Sequence, residues 1–362
     1  MNKPKLRSSV SVVKLNDNII EFFLTNTRKQ IKIKIKNESL LDIILSLDGS
    51  KTKEEICIAN SIDNSAKESF YKFLSFLERK SIIKDADREI EKHEYTKFRR
   101  VITFLEDYAS SYEDKEYMWN NIKNSHVVVI GLGAVGTWVS SQLIQSGVRK
   151  ITIMDADQIE ISNLHRQLGF KENDIGRLKV DVVEENLKKM NSMIEVKKIV
   201  DILNENNLEK YINYDVDLII NCADTPTVDL TSEWIGKYCI KHNIPHIIGG
   251  GYNLHISLLG QTVIPFKSAC VKCFEKGLNE LNNIDMSNIK KLSIKNRKIG
   301  SFGPMCSIIA SMTANEAIKV LSKKITPSNL NRRGEFNIYN MDINYHYVEK
   351  DENCIWCGNN TI

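Results

Sequence analysis

Missing from this chain of 362 residues is any run of about eighteen apolar residues, which excludes a membrane-spanning helix. Missing too is a cationic, apolar leader, so no secretory signal is expected. Nor is there an excess of charge of one sign: 50 Lys and Arg face 46 Asp and Glu, a net charge of +4. A nucleic-acid groove with clustered cations is therefore not expected. No internal repeat and no low-complexity tract interrupts the chain. These absences leave a soluble cytoplasmic protein of two or three compact domains, and a 42% hydrophobic content can supply their cores.

Cysteine is not scarce, and its placement is informative. Four of the eight cysteines fall into two C-x-x-C pairs, Cys270/Cys273 and Cys354/Cys357. A reducing cytosol argues against disulfides. A two-residue gap lets both thiolates of one turn converge on a tetrahedral ion, and two such knuckles complete a closed zinc site with a structural role. The long stretch between the knuckles, from Cys273 to Cys354, makes that metal a staple for a distant C-terminal tail.

Residues 1–85 have a texture of their own. "SVSVVKL", "IIEFFLT" and "QIKIKIK" read as strands, the last alternating Ile31, Ile33 and Ile35 with polar residues. Helices follow: "ESLLDIILSL", then "KEEICIA" capped by Thr52, then "SAKESFYKFLSFLERK" with Phe70, Phe73, Leu74 and Leu77 on one face. The pattern predicts a small winged-helix-like α+β domain. With "LDGSKTKEEI" between its first two helices, it resembles the peptide-recognition domains of ribosomal-peptide-modifying enzymes, whose PqqD-like fold is shared with the pyrroloquinoline-quinone peptide chaperone. DNA binding or plain packing are the alternatives for such a fold. Residues 86–125 are charged and helical in pattern, an arm leading into a large domain over 126–362 where strand and helix patterns alternate, as in a doubly wound sheet.

That domain opens on an apolar run from Val127 and then Gly131, Gly133 and Gly136 spaced as GxGxxG. Asp155, at the end of the next strand pattern, stands where an acid bonds a ribose. NAD and ATP both present a ribose, so the following residues decide. "SNLHRQ" supplies Asn163, Arg166 and Gln167, and "GRLKVDVV" supplies Lys179 at a helix start. A triphosphate needs such cations and an acid for magnesium; "DLIINCADTP" provides Asp224 where an apolar strand ends. His165 reads as a neighbour of Arg166, and Cys57, Cys222 and Cys239 as small core residues. Cys306 lies at a helix start, where the dipole favours a thiolate, but packing is the better reading.

These motifs, in this order and followed by the two knuckles, resemble the ubiquitin-activating superfamily in its bacterial form, the ThiF and MoeB adenylyltransferases, over residues 95–358. The resemblance implies a Rossmann-like domain that binds ATP and Mg2+, with ribose contacts from Asp155, phosphate contacts from Asn163, Arg166, Gln167 and Lys179, and magnesium on Asp224. It also implies a homodimer in which an arginine of the partner subunit covers the phosphates; in "KFRR" that residue is Arg100, with Arg99 as the fallback. Within the superfamily, the N-terminal domain, the arm, "NCADTP", "IIGGGYN" and "SFGPMC" are similar to the peptide adenylyltransferases of microcin C biosynthesis. The implied reaction is adenylylation, or cytidylylation from CTP, of the C-terminus of a short ribosomal precursor peptide. The alternatives are a noncatalytic leader-peptide-binding partner of another enzyme and an activator of a sulfur carrier. Many such activators carry a cysteine before the final helix, and this chain has none between Phe274 and Gly303.

Overall fold

The computed structural model describes residues 1–35, 39–86, 92–249, 252–253, 256–282 and 300–358. Gly250 and Gly251 of "IIGGGYN" and residues 283–299 of the thiol-free stretch lie outside them. The chain forms two compact units, Met1–Trp119 and Asn120–Ile362.

In the first unit, β1 (Pro4–Leu6) precedes β2 (Val10–Asn16), β3 (Ile19–Leu24) and β4 (Lys29–Lys34), and the last three form an antiparallel sheet with β3 central. Three helices follow, α1 (Ser39–Leu45), α2 (Lys53–Ala59) and α3 (Asn64–Arg79). The Thr52 hydroxyl accepts from the Glu55 amide while the Glu55 carboxylate accepts from the Thr52 amide, a capping box that starts α2. Phe70, Leu74 and Leu77 of α3 pack with Ile20 and Phe22 of β3 in one core, because the helical and strand periods each put their apolar residues on a single face. A short ribbon with no signature in the sequence completes this unit: β5 (Ile83–Asp85) pairs antiparallel with β1, and strands of three residues are too short to display a period. α4 (Lys92–Glu106) buries Phe98, Ile102 and Leu105, and α5 (Tyr112–Asn124) stacks Trp119 against Phe98 with centroids 5.2 Å apart.

The second unit is built on a six-stranded sheet. Its strands are β6 (His126–Ile130), β7 (Lys150–Met154), β8 (Glu195–Ile199), β9 (Leu218–Asn221), β10 (His246–Ile248) and, further along, β13 (Thr262–Val263), in the order β13-β10-β9-β6-β7-β8. All pair in parallel except β13, the antiparallel edge. β6 lies between β7 and β9 with every residue of "HVVVI" buried, and after His126 it is apolar at each position rather than alternating. Helices α6 (Ala134–Gln145), α7 (Lys179–Met190), α8 (Leu208–Tyr211) and α9 (Val228–Lys241) connect these strands, an α/β doubly wound arrangement. The chain leaves β6 toward β7 and β8, then returns to add β9 on the other side, so the order reverses between β6 and β9. The crevice beyond the carboxyl ends at such a reversal is where ligands of these sheets bind. β11 (Tyr252–Asn253) and β12 (Ile256–Leu259) pair with β14 (Arg332–Asn337) and β15 (Asp342–Tyr347) in a second sheet, and α10 (Val271–Asn282) and α11 (Gly303–Ser322) complete the unit. No helix among the described residues is long and apolar enough to cross a membrane.

Candidate active site

At that reversal lies a cleft of about 600 Å³. Its floor is the glycine loop between β6 and α6. Gly131 has φ +89° and donates its N–H to the Met154 carbonyl at 2.8 Å. A methyl at Gly131 would sit 2.6 Å from the Cys222 carbonyl group, and one at Gly136 would sit 1.8 Å from the Gly131 oxygen, so helix, loop and neighbouring strand meet only if both stay glycine. Gly133 precedes α6, and a methyl there would meet nothing within 4 Å. It is the point where a ligand can approach the backbone at the helix N-terminus.

Asp155 follows β7 by one residue. Its carboxylate accepts from the Leu132 amide at 2.6 Å and from the Asp157 amide at 2.8 Å, fixing the end of β7 to the glycine loop. Burial pushes its pKa up, against the pull of the Lys179 charge and these two hydrogen bonds. Lys179 begins α7 and is buried; its Nζ lies 2.6 Å from an Asp157 oxygen and its N–H donates to the Asp157 carbonyl. Asp157, two residues past Asp155, thus holds the lysine, a role the spacing did not disclose.

The "SNLHRQ" segment turns on a short 3-10 helix, Ile161–Asn163. Asn163 is buried, its Oδ1 accepts from the Glu160 amide, and its carbonyl accepts from the amides of both Arg166 and Gln167. Arg166 Nη1 donates to the Ser162 carbonyl and to Nε2 of His165, which is exposed. The buried Arg166 Nε and Gln167 Oε1 have no hydrogen-bond partner. Such groups are rare unless a ligand completes them.

Asp224, exposed, lies three residues past β9 on the opposite rim. Its loop is pinned twice: Asn221 Oδ1 accepts from the Ala223 amide at 3.0 Å, and Thr231 Oγ1 donates to the Ala223 carbonyl at 2.9 Å. Asn221 Nδ2 also reaches the Thr231 and Ser232 hydroxyls. The structure therefore brings Gly131, Gly133, Asp155, Asn163, Arg166, Gln167, Lys179 and Asp224 to one cleft. Arg99 and Arg100 stand exposed on α4 in the first unit.

The cleft also has walls that the sequence did not disclose. Asp201, Ile202 and Leu203, beyond β8, line it, and Asp201 is held ionised first by the Tyr211 hydroxyl at 2.8 Å. Cys222, a core residue by its sequence context, is instead half-buried and lines the cleft, because Gly131 packs directly on its backbone. Burial pushes its thiol up to about 12. Cys57, Cys239 and Cys306 are fully buried.

Away from the cleft, Cys270, Cys273, Cys354 and Cys357 are buried together, with sulfurs 3.5 Å (Cys270–Cys354), 3.6 Å (Cys273–Cys357) and 3.8 Å (Cys270–Cys273) apart. Metal–sulfur bonds of about 2.3 Å in a tetrahedron place sulfurs about 3.8 Å apart; the three separations above are close to that, and all four sulfurs lie within 4.8 Å of one another, a donor set that suits one ion.

The ThiF family model matches residues 111–356. The tRNA threonylcarbamoyladenosine dehydratase of Haemophilus influenzae is 34% identical over 130 residues, 36% of this chain and 49% of that protein. The sulfur carrier protein ThiS adenylyltransferase of Escherichia coli (strain K12) is 27% identical over 235 residues, 65% of this chain and 84% of that protein. The chain spans about half the length of the first curated relatives it matches. In fold it is similar to E. coli MccB with ATP (TM-score 0.74, 24% identity, 99% of this chain and 100% of that one). The microcin C7 biosynthetic enzyme MccB in complex with N-formylated MccA gives a TM-score of 0.75 at 24% identity, with the same coverage.

Proposed function

The chain belongs to the ThiF family, and from that premise we propose that it is a nucleotidyltransferase that joins the α-phosphate of ATP or CTP to the C-terminus of a short ribosomally made peptide. The observation that carries the reading is the convergence of Arg166, Lys179 and Asp224 with an open glycine loop in one cleft. A site kept only for binding has no need of that set. The orphaned Arg166 Nε and Gln167 Oε1 point the same way, since phosphate oxygens and hydroxyls would complete both.

In this mechanism the glycine loop and the α6 N-terminus hold the phosphates, and Asp155 takes the ribose. A peptide carboxylate oxygen attacks the α-phosphorus, the bond from that phosphorus to its bridging oxygen breaks, and pyrophosphate leaves with the electron pair. Arg166 and Lys179 neutralise the charge that grows on the leaving oxygens. Asp224 would hold Mg2+, which supplies further charge neutralisation when bound. The attacking carboxylate needs no general base. Arg100 of a partner subunit would complete the phosphate shell, which makes the active form a homodimer. The N-terminal domain, residues 1–85, would capture the peptide as an added strand on the edge of its sheet, where unpaired backbone groups are available. The four thiolates would hold Zn2+, closed and structural. No role for nucleic acid or membrane enters this account, and the cytoplasm is the proposed location.

The E. coli ThiS adenylyltransferase favours a second reading, activation of a sulfur carrier. Exchange of labelled pyrophosphate into ATP separates the two. Exchange should require a short peptide with a free C-terminus and should vanish in Asp224→Ala while the fold survives. Exchange supported by a sulfur carrier protein but by no peptide would establish the second reading. An undiminished rate in Asp224→Ala would remove magnesium from that residue.

A further inference from the structure

Three cationic side chains converge on the last turn of α4. Arg7 directly follows β1, and its N–H donates to the Ile82 carbonyl just before β5. From there its guanidinium reaches the α4 C-terminus, donating Nη1 to the Glu106 carbonyl at 2.8 Å and Nη2 to the Ala109 carbonyl at 3.4 Å. Lys84, in the middle of β5, places Nζ 2.8 Å from the Glu106 carboxylate, and Lys115 of α5 approaches the same oxygen at 3.4 Å. Side-chain exposure is 13% for Lys84, 8% for Glu106 and 1% for Lys115, so water does little to screen these contacts.

Stability is a poor reason for this arrangement. Buried ion pairs lose much of their attraction to desolvation, and their best-attested use is to fix register. Here the register fixed is that of α4 against the β1–β5 ribbon. Arg100 sits six residues up the same helix, about 9 Å along its axis. Ile102 and Leu105, fully buried, hold the intervening turn.

We propose that Arg7, Lys84 and Glu106 are positioning residues that lock the helix bearing Arg100 to the small N-terminal domain, so that arginine and peptide-capturing sheet move as one body. A peptide drawn into place on the sheet then brings the arginine with it. The inference rests on the reading given under Proposed function, in which the sheet captures the peptide and Arg100 serves the phosphates.

The test is pyrophosphate exchange by full-length Lys84→Met, Arg7→Ala and Lys84→Arg proteins, with peptide affinity measured separately by fluorescence anisotropy. Lys84→Met and Arg7→Ala should lower kcat about tenfold while peptide affinity stays within about twofold, and Lys84→Arg should restore the rate. Adding Arg100→Ala to either broken latch should then cost under about twofold, because the arginine is already misplaced. An undiminished Arg100→Ala penalty in those backgrounds would overturn the proposal. So would peptide affinity falling in step with kcat. A silent Arg100→Ala in the otherwise wild-type chain would instead remove the arm arginine from the reading beneath it. Thermal melts keep the test sound: if Lys84→Met does not fold, Arg7→Ala leaves the Lys84–Glu106–Lys115 cluster intact and carries the same predictions.

Discussion

Asn221 contacts the cleft only through other residues, yet its amide builds the loop that presents Asp224. Its oxygen takes the half-buried Ala223 amide, and its nitrogen reaches two buried hydroxyls at the start of α9. Asn221→Leu keeps the volume, strips the Ala223 N–H of its acceptor and removes the donor to the two hydroxyls, a loss of about 2 kcal/mol. In a unit of this size, the melting temperature should fall roughly 4–8 °C. Exchange should drop at least about tenfold with nucleotide affinity little changed, because orientation of the acid is lost rather than the phosphate cradle. A destabilised variant with a full exchange rate would show that the loop holds its shape without Asn221. Asp155 poses a related question of competition. Its oxygens are bonded to the amides of Leu132 and Asp157, so on the proposed reading a ribose would share that carboxylate with the loop it anchors.

Among the elements, the two cysteine knuckles come together from positions 84 residues apart. Cys270 and Cys273 flank the start of α10, while Cys354 and Cys357 lie in the turns after β15. If one ion joins them, elemental analysis should find one zinc per chain. A strong chelator, or Cys354→Ser, should lower the melting temperature by about 5 °C or more without changing peptide affinity, since bound metal is folding free energy here. Full stability without zinc would leave the cluster as buried thiols. What the sequence disclosed at this scale follows from length and period. β6 was legible because a strand covered on both faces shows an unbroken apolar run, here from Val127 to Ile130, and α3 because four turns repeat one face. β1 and β5 were not, since three residues cannot establish a period, and the latch built on that ribbon was hidden with them. The glycine loop, Asp155, Lys179 and Asp224 could be found because each follows a recognisable strand or opens a helix, and Arg166 because it stands in the polar "SNLHRQ" cluster. Asp201, Ile202 and Leu203 could not: they come from an aperiodic loop, and only the folding of β8 beside β7 carries them to the cleft.

At the scale of the whole molecule, the issue is which chain completes which site. Arg100 belongs to the first compact unit and the cleft to the second. If the arginine of one protomer serves its partner's cleft, complementation has a definite arithmetic. Take Arg100→Ala protein, which keeps Lys179, and Lys179→Ala protein, which keeps Arg100. Each alone should be nearly inactive in exchange. Random reassociation of equal amounts makes half of the dimers mixed. In a mixed dimer one cleft has its own Lys179 and the partner's Arg100, whereas the other lacks both. About a quarter of all clefts should therefore recover, and exchange should rise to about a quarter of the wild-type rate. An arginine acting within its own chain predicts no recovery, because every cleft then lacks one group. Subunit exchange must be verified by mass spectrometry of differently tagged chains, and a mixture that exchanges subunits yet stays inactive would place the arginine in its own chain or outside the reaction. The latch sharpens the expectation. Because Arg7, Lys84 and Glu106 tie the arm to the N-terminal domain of the same protomer, an arginine working in trans means that peptide captured on one chain's sheet tunes the chemistry in the other chain's cleft. In mixed dimers, a Lys84→Met change should then impair exchange when carried by the Lys179→Ala chain, which donates the arginine. Carried by its partner, it should have little effect.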